Sequence, residues 1–464
     1  MRQLLCALAL LWPLASVGSV ERASTDIGEI TSLSRLHSLS ASELASSKSL
    51  NVPFDVWRTS QGLRVLWHDN PRLPMVEARV YFDAGSARDG ATPGLAAAVN
   101  SLMEQGTRRR SGQEVALGFE RLGARFNRSS HRDMALFELV MLSDAEIREP
   151  AMALLAEVIT RPVFAHADWL RLQDSMRVGS KQRKQSPAAI ASRLFYESLY
   201  QAHPYGHPPS GTLGSINRIR LDDIRAFHAR HYVANNGALV LVGDLRRAEA
   251  ETLAETFAAK MASGRAAPLI APPPNLGVSK RLHQSFNAEQ THVVLGQLGI
   301  TRHDPDYFAL IVANEVIAGG GFGSLLMREL REKRGLTYGV SSRFNVMRVN
   351  GPFQVNFSTR ADQAEQALSL TQSILQQLQQ EGLPAEDVTR AIDAIAQSFP
   401  LGLTTNSQIA SYLGVIGFYD LPPTWLQNYL PRLRAVTTEQ VNDALRRRLT
   451  PDEMVIITVG PVLQ

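Results

Sequence analysis

Only one cysteine, Cys6, occurs in the 464 residues, and it lies in an apolar stretch at the N-terminus. Disulfide staples are therefore excluded from the folded part of the chain. No segment beyond that stretch reaches the ~18 uninterrupted apolar residues of a membrane helix, so stable insertion through a later segment is not expected. Neither sign of charge dominates: 48 Lys and Arg stand against 44 Asp and Glu, a net charge of +4. Basic runs do occur at residues 108–110, 181–184 and 446–448. Each sits in or beside a predicted helix and reads as a solvated helix face, so no nucleic-acid partner is expected. Glutamate is missing over a long interval, from Glu157 to Glu197, and this absence matters below.

What is present is ordinary globular composition, 44% hydrophobic and 20% charged, with length enough for two or more domains. Residues 1–19 (MRQLLCALALLWPLASVGS) join one basic residue to an apolar run and small residues, the pattern of a secretory signal. Export to the bacterial periplasm is expected, with cleavage around Gly18 to Val20; an uncleaved N-terminal anchor facing the periplasm is the alternative. Residues 20–52 are rich in Ser and Ala and read as a loosely packed arm. From there the chain repeats itself. Residues 227–245 and 445–462 share an order of helix, turn, apolar strand and glycine, closed by Gly243 and Gly460. Residues 75–89 and 291–304 each read as an alternating strand leading through a polar turn to a helix. Between the halves, Pro268, Pro272, Pro273 and Pro274 mark a linker. The predicted organisation is a first domain at 53–265, a linker at 266–279 and a second domain at 280–464. Long amphipathic helices at 143–160 and 361–381 beside separate strands imply an α+β class, each domain a mixed or antiparallel sheet with helices packed on one face.

The segment from Gly94 to Thr107 (GLAAAVNSLMEQGT) resembles the zinc-binding helix of the insulinase-like M16 metallopeptidases. In that family the helix carries H-x-x-E-H, two histidines on one face and a glutamate as general base. Here the corresponding positions are Ala97, Asn100 and Ser101. Alanine cannot ligate zinc, and Asn and Ser are poor ligands. The family's third ligand, a glutamate, would fall near Val178 or Gly179, inside the interval that has none. The resemblance implies a chain that binds no zinc and cleaves no peptide by itself.

The second half keeps a longer match, from Asn314 to Val340 (NEVIAGGGFGSLLMRELREKRGLTYGV). By resemblance, Arg331 and Tyr338 correspond to residues that reach the zinc site and bind the substrate backbone, and Gly319, Gly320, Gly321 and Gly323 form a glycine-rich loop that approaches ligand. A tyrosine hydroxyl can donate to a developing oxyanion, and an arginine can bind carbonyls without losing charge. The bland reading makes Arg331 part of a solvated face with Arg328 and Lys333, and Tyr338 a half-buried strand residue. No Lys-Ser/Thr follows the glycines, which excludes a phosphate-binding loop.

Other candidates are weaker. His203 and His207 are four apart but separated by Pro204 and Gly206, which suits a loop better than a metal-binding helix. His228 and His231 lack an acidic or cysteine third ligand, and His131 with Asp133 has no supporting pattern. Residues 122–127 (LGARFN), before a predicted strand at 134–141, resemble the family's edge strand, to which extended peptides can add. The resemblance implies two similar domains forming half of a clam-shaped shell. It further implies a non-catalytic subunit of an exported heterodimeric zinc endopeptidase. An H-x-x-E-H-bearing sibling would hold the zinc, and small or unfolded peptides would be the substrates. The alternative is a structural or peptide-binding protein of the same fold with no part in proteolysis.

Overall fold

The computed structural model describes residues 52–461; the predicted signal and nearly all of the arm lie outside the described residues. In the first half, strands β1 (Asp55–Arg58), β2 (Arg64–Asp69) and β3 (Met75–Phe82) precede helices α1 (Leu95–Leu102) and α2 (Gly112–Arg121). Strands β4 (Arg125–Ser130) and β5 (Ala135–Leu142) follow, then α3 (Ala145–Thr160), α4 (His166–Arg183), α5 (Pro187–Tyr200), α6 (Leu213–Arg218) and α7 (Leu221–His231). Strand β6 (Gly237–Gly243) and α8 (Arg247–Ala258) close this half. The second half runs β7 (Lys280–Ser285), β8 (Gln290–Leu298), α9 (Tyr307–Asn314), β9 (Val340–Phe344) and β10 (Pro352–Arg360). It ends with α10 (Ala364–Glu381), α11 (Ala385–Ser398), α12 (Asn406–Phe418), α13 (Trp425–Arg434), α14 (Thr438–Arg448) and β11 (Val455–Gly460).

The two sheets have one topology. The first is ordered β1-β2-β6-β3-β5-β4 and the second β7-β11-β8-β10-β9. In each, the last strand pairs parallel with an early one, β6 with β2 and β11 with β7, while the remaining pairs are antiparallel. The repeat legible in the sequence is thus a repeat of sheet order, with β1 added to the first copy.

Helices cover both faces of the sheets, where the sequence suggested one. The central strands explain this: β6 and β11 are buried nearly throughout, apolar on both faces, and must be covered twice. One face of each sheet packs on helices of its own half. The other takes a helix from the opposite half: α12 lies on β6 and β3, and α5 lies on β11 and β8. Leu66, Tyr81, Ala238 and Val240 of the first sheet accordingly share a core with Leu413 and Ile416. Ile190, Phe195 and Leu199 share one with Val455, Ile457 and Val459. Small residues set the approach of α12: a Cβ at Gly414 would lie 2.1 Å from the Tyr81 hydroxyl, and one at Gly417 2.5 Å from Leu66 Cδ1. Overpacking there would cost ~1–3 kcal/mol.

Polar contacts cross between the halves as well. Arg79 of β3 donates to Ser407 and Ser411 of α12 at 2.6 and 2.7 Å, while Glu77 and Glu138 neutralise its charge. The buried Asp133 carboxylate accepts from Tyr205 Oη, from Tyr419 Oη at 2.9 Å and from the Arg348 N–H at 2.9 Å. Asp133 and Tyr205 belong to the first half, and Tyr419 and Arg348 to the second. Helix starts follow local rules: Ser111 with Glu114, Thr405 with Gln408 and Thr437 with Gln440 form capping boxes, and Asp144 caps α3. Each such cap is worth ~1 kcal/mol.

Candidate functional site

Helix α1 begins at Gly94, whose φ of 96° is left-handed and suits glycine. Asp89 fixes this start by accepting the N–H groups of Gly94 and Ala96, each at 2.7 Å. Burial pushes the Asp89 carboxyl up to about 8, against the opposing pull of those two bonds. His207 Nδ1 stands 3.9 Å from Asp89 Oδ2, and burial lowers its basicity.

Farther along α1, the space beside Asn100 and Ser101 is taken by Arg128 of β4. Its guanidinium donates to Ser101 Oγ at 3.0 Å, to Glu104 Oε1, and marginally to Asn100 Oδ1 at 3.5 Å. A guanidinium keeps its charge at any ordinary pH. A fixed cation and a zinc dication at one place repel, and Arg128 also engages the local acceptors. Helix α4 does run beside α1, but Val178 and Gly179 on it supply no donor atom, and Val178 is exposed. The residues therefore do not fit zinc. Among the described residues no group of three His, Cys, Asp or Glu side chains is placed to hold a metal ion.

In the second half a π-helical turn at Glu315–Gly319 leads into a short 3-10 turn at Gly321–Gly323. Gly319 and Gly320 press on the chain before them: added Cβ atoms would meet Asn314 Nδ2 at 2.4 Å and Glu315 Oε1 at 2.7 Å. Gly321 has a φ of +69°, and it and Gly323 face open space. Close approach by Gly319 and Gly320 thus serves the loop's own packing, while only Gly321 and Gly323 leave room for a ligand. Phe322 between them is exposed.

Arg331 lies in the π-helical segment Met327–Glu332. Its neighbours Arg328, Lys333 and Arg334 all engage Glu329. Arg331 instead sits between two rings, its Cζ 4.6 Å from the Phe322 centroid and 5.0 Å from that of Tyr338. Such cation–π contacts hold a guanidinium in place without neutralising it. Tyr338 is 86% exposed, not half-buried. The chain beneath it is anchored, because Leu336 and Thr337 are buried and Thr337 Oγ1 donates to the Ser358 carbonyl at 2.7 Å. Rigid backbone, exposed phenol and charged guanidinium together form a polar surface that can engage carbonyl groups.

The remaining histidines have structural partners. His203 bonds the Ala271 carbonyl at 2.9 Å and the Tyr205 N–H at 3.1 Å, tying its loop to the proline-rich connection. His228 bonds the Ile159 carbonyl at 2.8 Å and stacks on Tyr232. His231 packs on Phe227, and His131 bonds Ser129 at 3.0 Å. Strand β4 is an edge strand of its sheet, three residues beyond the predicted segment because Gly123, with a φ of +60°, ends the preceding turn. A cavity of about 690 Å³ lined by Glu104, Phe119, Arg125 and Phe126 opens beside it. Sequence reasoning missed Arg128, Phe322 and the inter-half role of Asp133. Arg128 and Asp133 take their meaning from contacts distant in sequence, and Phe322 from the turn that sets its ring against Arg331.

Two α+β halves of equal topology, each lending a helix to the other, with the Gly94–Thr107 segment in the first half and the glycine-rich Arg/Tyr segment in the second, define an M16-type protein. The comparisons agree: residues 64–213 match the model of Insulinase (Peptidase family M16), and residues 218–395 match Peptidase M16 inactive domain. The crystal structure of a peptidase M16 inactive domain from Pseudomonas fluorescens superposes with a TM-score of 0.86 at 39% identity, covering 88% of this chain and 98% of that one. Uncharacterized zinc proteases of Mycobacterium leprae and Bacillus subtilis (YmxG) are 26% and 24% identical; the alignments cover 86% and 84% of this chain and 90% and 94% of theirs. The chain belongs to peptidase family M16.

Proposed function

We propose that this chain is the non-catalytic, substrate-binding subunit of an exported, heterodimeric M16 zinc endopeptidase. The observation that carries the proposal is the pairing of a first-half helix whose Ser101 is engaged by Arg128 with an exposed Tyr338 beside a half-buried Arg331 that has no carboxylate partner among the described residues. In this reading an H-x-x-E-H-bearing sibling in the periplasm holds the zinc, its water and the general base. Arg331 binds carbonyls of the extended peptide, and the Tyr338 hydroxyl donates to the oxygen that becomes negative in the transition state. Similarity to the inactive domain from Pseudomonas fluorescens supports the loss of catalysis here, whereas the relatives named zinc proteases support the wider assignment to proteolysis.

The test is reconstitution. The chain and a sibling carrying H-x-x-E-H are expressed separately and together, and zinc content and peptide cleavage are measured for each chain and for the complex. Cleavage confined to the complex is expected, with Arg331→Ala and Tyr338→Phe each lowering turnover ~10²-fold while assembly persists. Unchanged turnover in an intact complex of those variants removes the mechanism. A sibling that is equally active alone and does not co-purify favours the structural or peptide-binding alternative.

A further inference from the structure

The basic run at residues 181–184 is not wholly a solvated helix face. Arg183 turns from the end of α4 towards a cavity of about 490 Å³, which it lines with Arg132, Lys184, Arg193, Tyr196 and the 206–212 loop. That volume is typical of small-molecule sites. Among the described residues the buried Arg183 Nη2 atom has no hydrogen-bond partner. Arg132 is held by stacking, its Cζ 3.6 Å from the Tyr196 ring centroid, and by one bond from Nε to the Tyr205 carbonyl at 3.2 Å. Of the four cations only Arg193 has a carboxylate among the described residues, Glu197 at 2.6 Å. No acidic side chain of the described residues lines the cavity, while Ser180, Ser192, Ser210 and Thr212 bring hydroxyls to it.

Buried cationic groups are costly unless paired. The cavity gathers three partly buried guanidinium groups and the exposed Lys184 ammonium, and only Arg193 has a carboxylate partner among the described residues, so it is short of negative charge. Its other surface is apolar: Ala189, Ile190, the Tyr196 ring, Pro208 and Pro209. A bare inorganic anion would satisfy the cations and leave that surface unused. We propose that this cavity binds a carboxylate bearing an apolar group, its oxygens bonded by Arg183 and Lys184 and its apolar part set against Ile190, Tyr196 and the two prolines. The chemistry is shared by the free C-terminal residue of a peptide and by a free aliphatic or aromatic carboxylic acid. The cavity shares no lining residue with the Arg331–Tyr338 surface.

The test is calorimetric titration of the full chain with four probes: an N-acetylated pentapeptide ending in leucine, its C-terminal amide, 4-methylpentanoate and inorganic phosphate. Binding of the free-acid peptide is expected at least tenfold tighter than that of the amide, weakening with added salt. Arg183→Gln and Lys184→Gln should each weaken it at least tenfold without lowering the melting temperature. They are chosen because Arg132 also supports the Tyr196 stack and its loss could unfold the site. Binding of 4-methylpentanoate but not the peptide supports the site and assigns the free acid as its source. Equal binding of acid and amide, tightest binding of phosphate, unaltered affinity in Arg183→Gln, or no binding of any probe at millimolar concentration overturns the proposal.

Discussion

Replacing Asp133 by alanine removes the acceptor on which the two halves converge. Three donors lose it together: the hydroxyls of Tyr205 and Tyr419 and the Arg348 N–H. Tyr205 is fully buried and Tyr419 nearly so, and Asp133 itself is 3% exposed, so water cannot readily replace the lost partner. Each stranded donor costs ~1–3 kcal/mol, which is partly offset because the variant no longer buries a carboxylate; a net loss of about 3–5 kcal/mol follows. Against a typical total stability of ~5–15 kcal/mol this is a large fraction. Two of the donors come from the second half, so the loss should also loosen its coupling to the first. Urea unfolding followed by tryptophan fluorescence reads both effects, because Trp57, Trp67 and Trp169 lie in the first half and Trp425 in the second. Asp133→Ala should lower the midpoint and broaden or split the transition. Asp133→Asn, which keeps one acceptor oxygen and the side-chain shape, should lose less. An Asp133→Ala variant within ~1 kcal/mol of wild type, with one sharp transition, would show that the convergence on this carboxylate carries no weight.

Restoring the metal motif tests the role given to Arg128. A chain carrying Ala97→His, Asn100→Glu, Ser101→His and Gly179→Glu should purify with far less than one zinc while Arg128 remains, and approach one zinc per chain once Arg128→Ser is added; stoichiometric zinc before that change refutes the blocking role. Acid sensitivity is read at His231, whose imidazole burial and the charges of Arg88 and Arg230 hold down to about 4. Between pH 4 and the ordinary histidine value near 6.5, the unfolded chain binds more protons than the folded one. Stability contributed by the neutral ring is therefore present above pH ~6.5 and is lost as pH falls towards 4. His231→Gln should reduce the slope of stability against pH in that window by up to ~1 kcal/mol per unit; an identical slope in denaturant titrations at about pH 4.5, 5.5 and 6.5 counts against it.

Much of the fold could be read from local pattern. The apolar runs ending at Gly243 and Gly460 are the central strands, and the helix predicted at 143–160 forms from Ala145 because Asp144 caps it. The helix predicted from 361 begins with one 3-10 turn and then runs Ala364–Glu381. The surroundings of Tyr338 were not legible, because a tyrosine followed by an alternating strand reads as half-buried until Leu336 and Thr337 are seen to take the inward positions. For the basic run at 181–184, helical spacing shows which residues share a face but not that Arg183 lines a cavity together with the 206–212 loop.

Sequence by itself determined the duplication, the family and the absence of imidazole and carboxylate at Ala97, Asn100 and Ser101, because strand pattern, glycine spacing and residue identity are properties of residues in order. Tertiary structure alone decided that each half covers the other's sheet with one of its helices. It also decided that Arg128 bonds Ser101 and Glu104, that Arg331 is clasped between Phe322 and Tyr338, and that Asp133 joins the halves. The Arg331 clasp depends on the turns that fold a short segment back on itself, whereas the other outcomes depend on groups tens to hundreds of residues apart, brought together when two-faced apolar strands are covered on both sides.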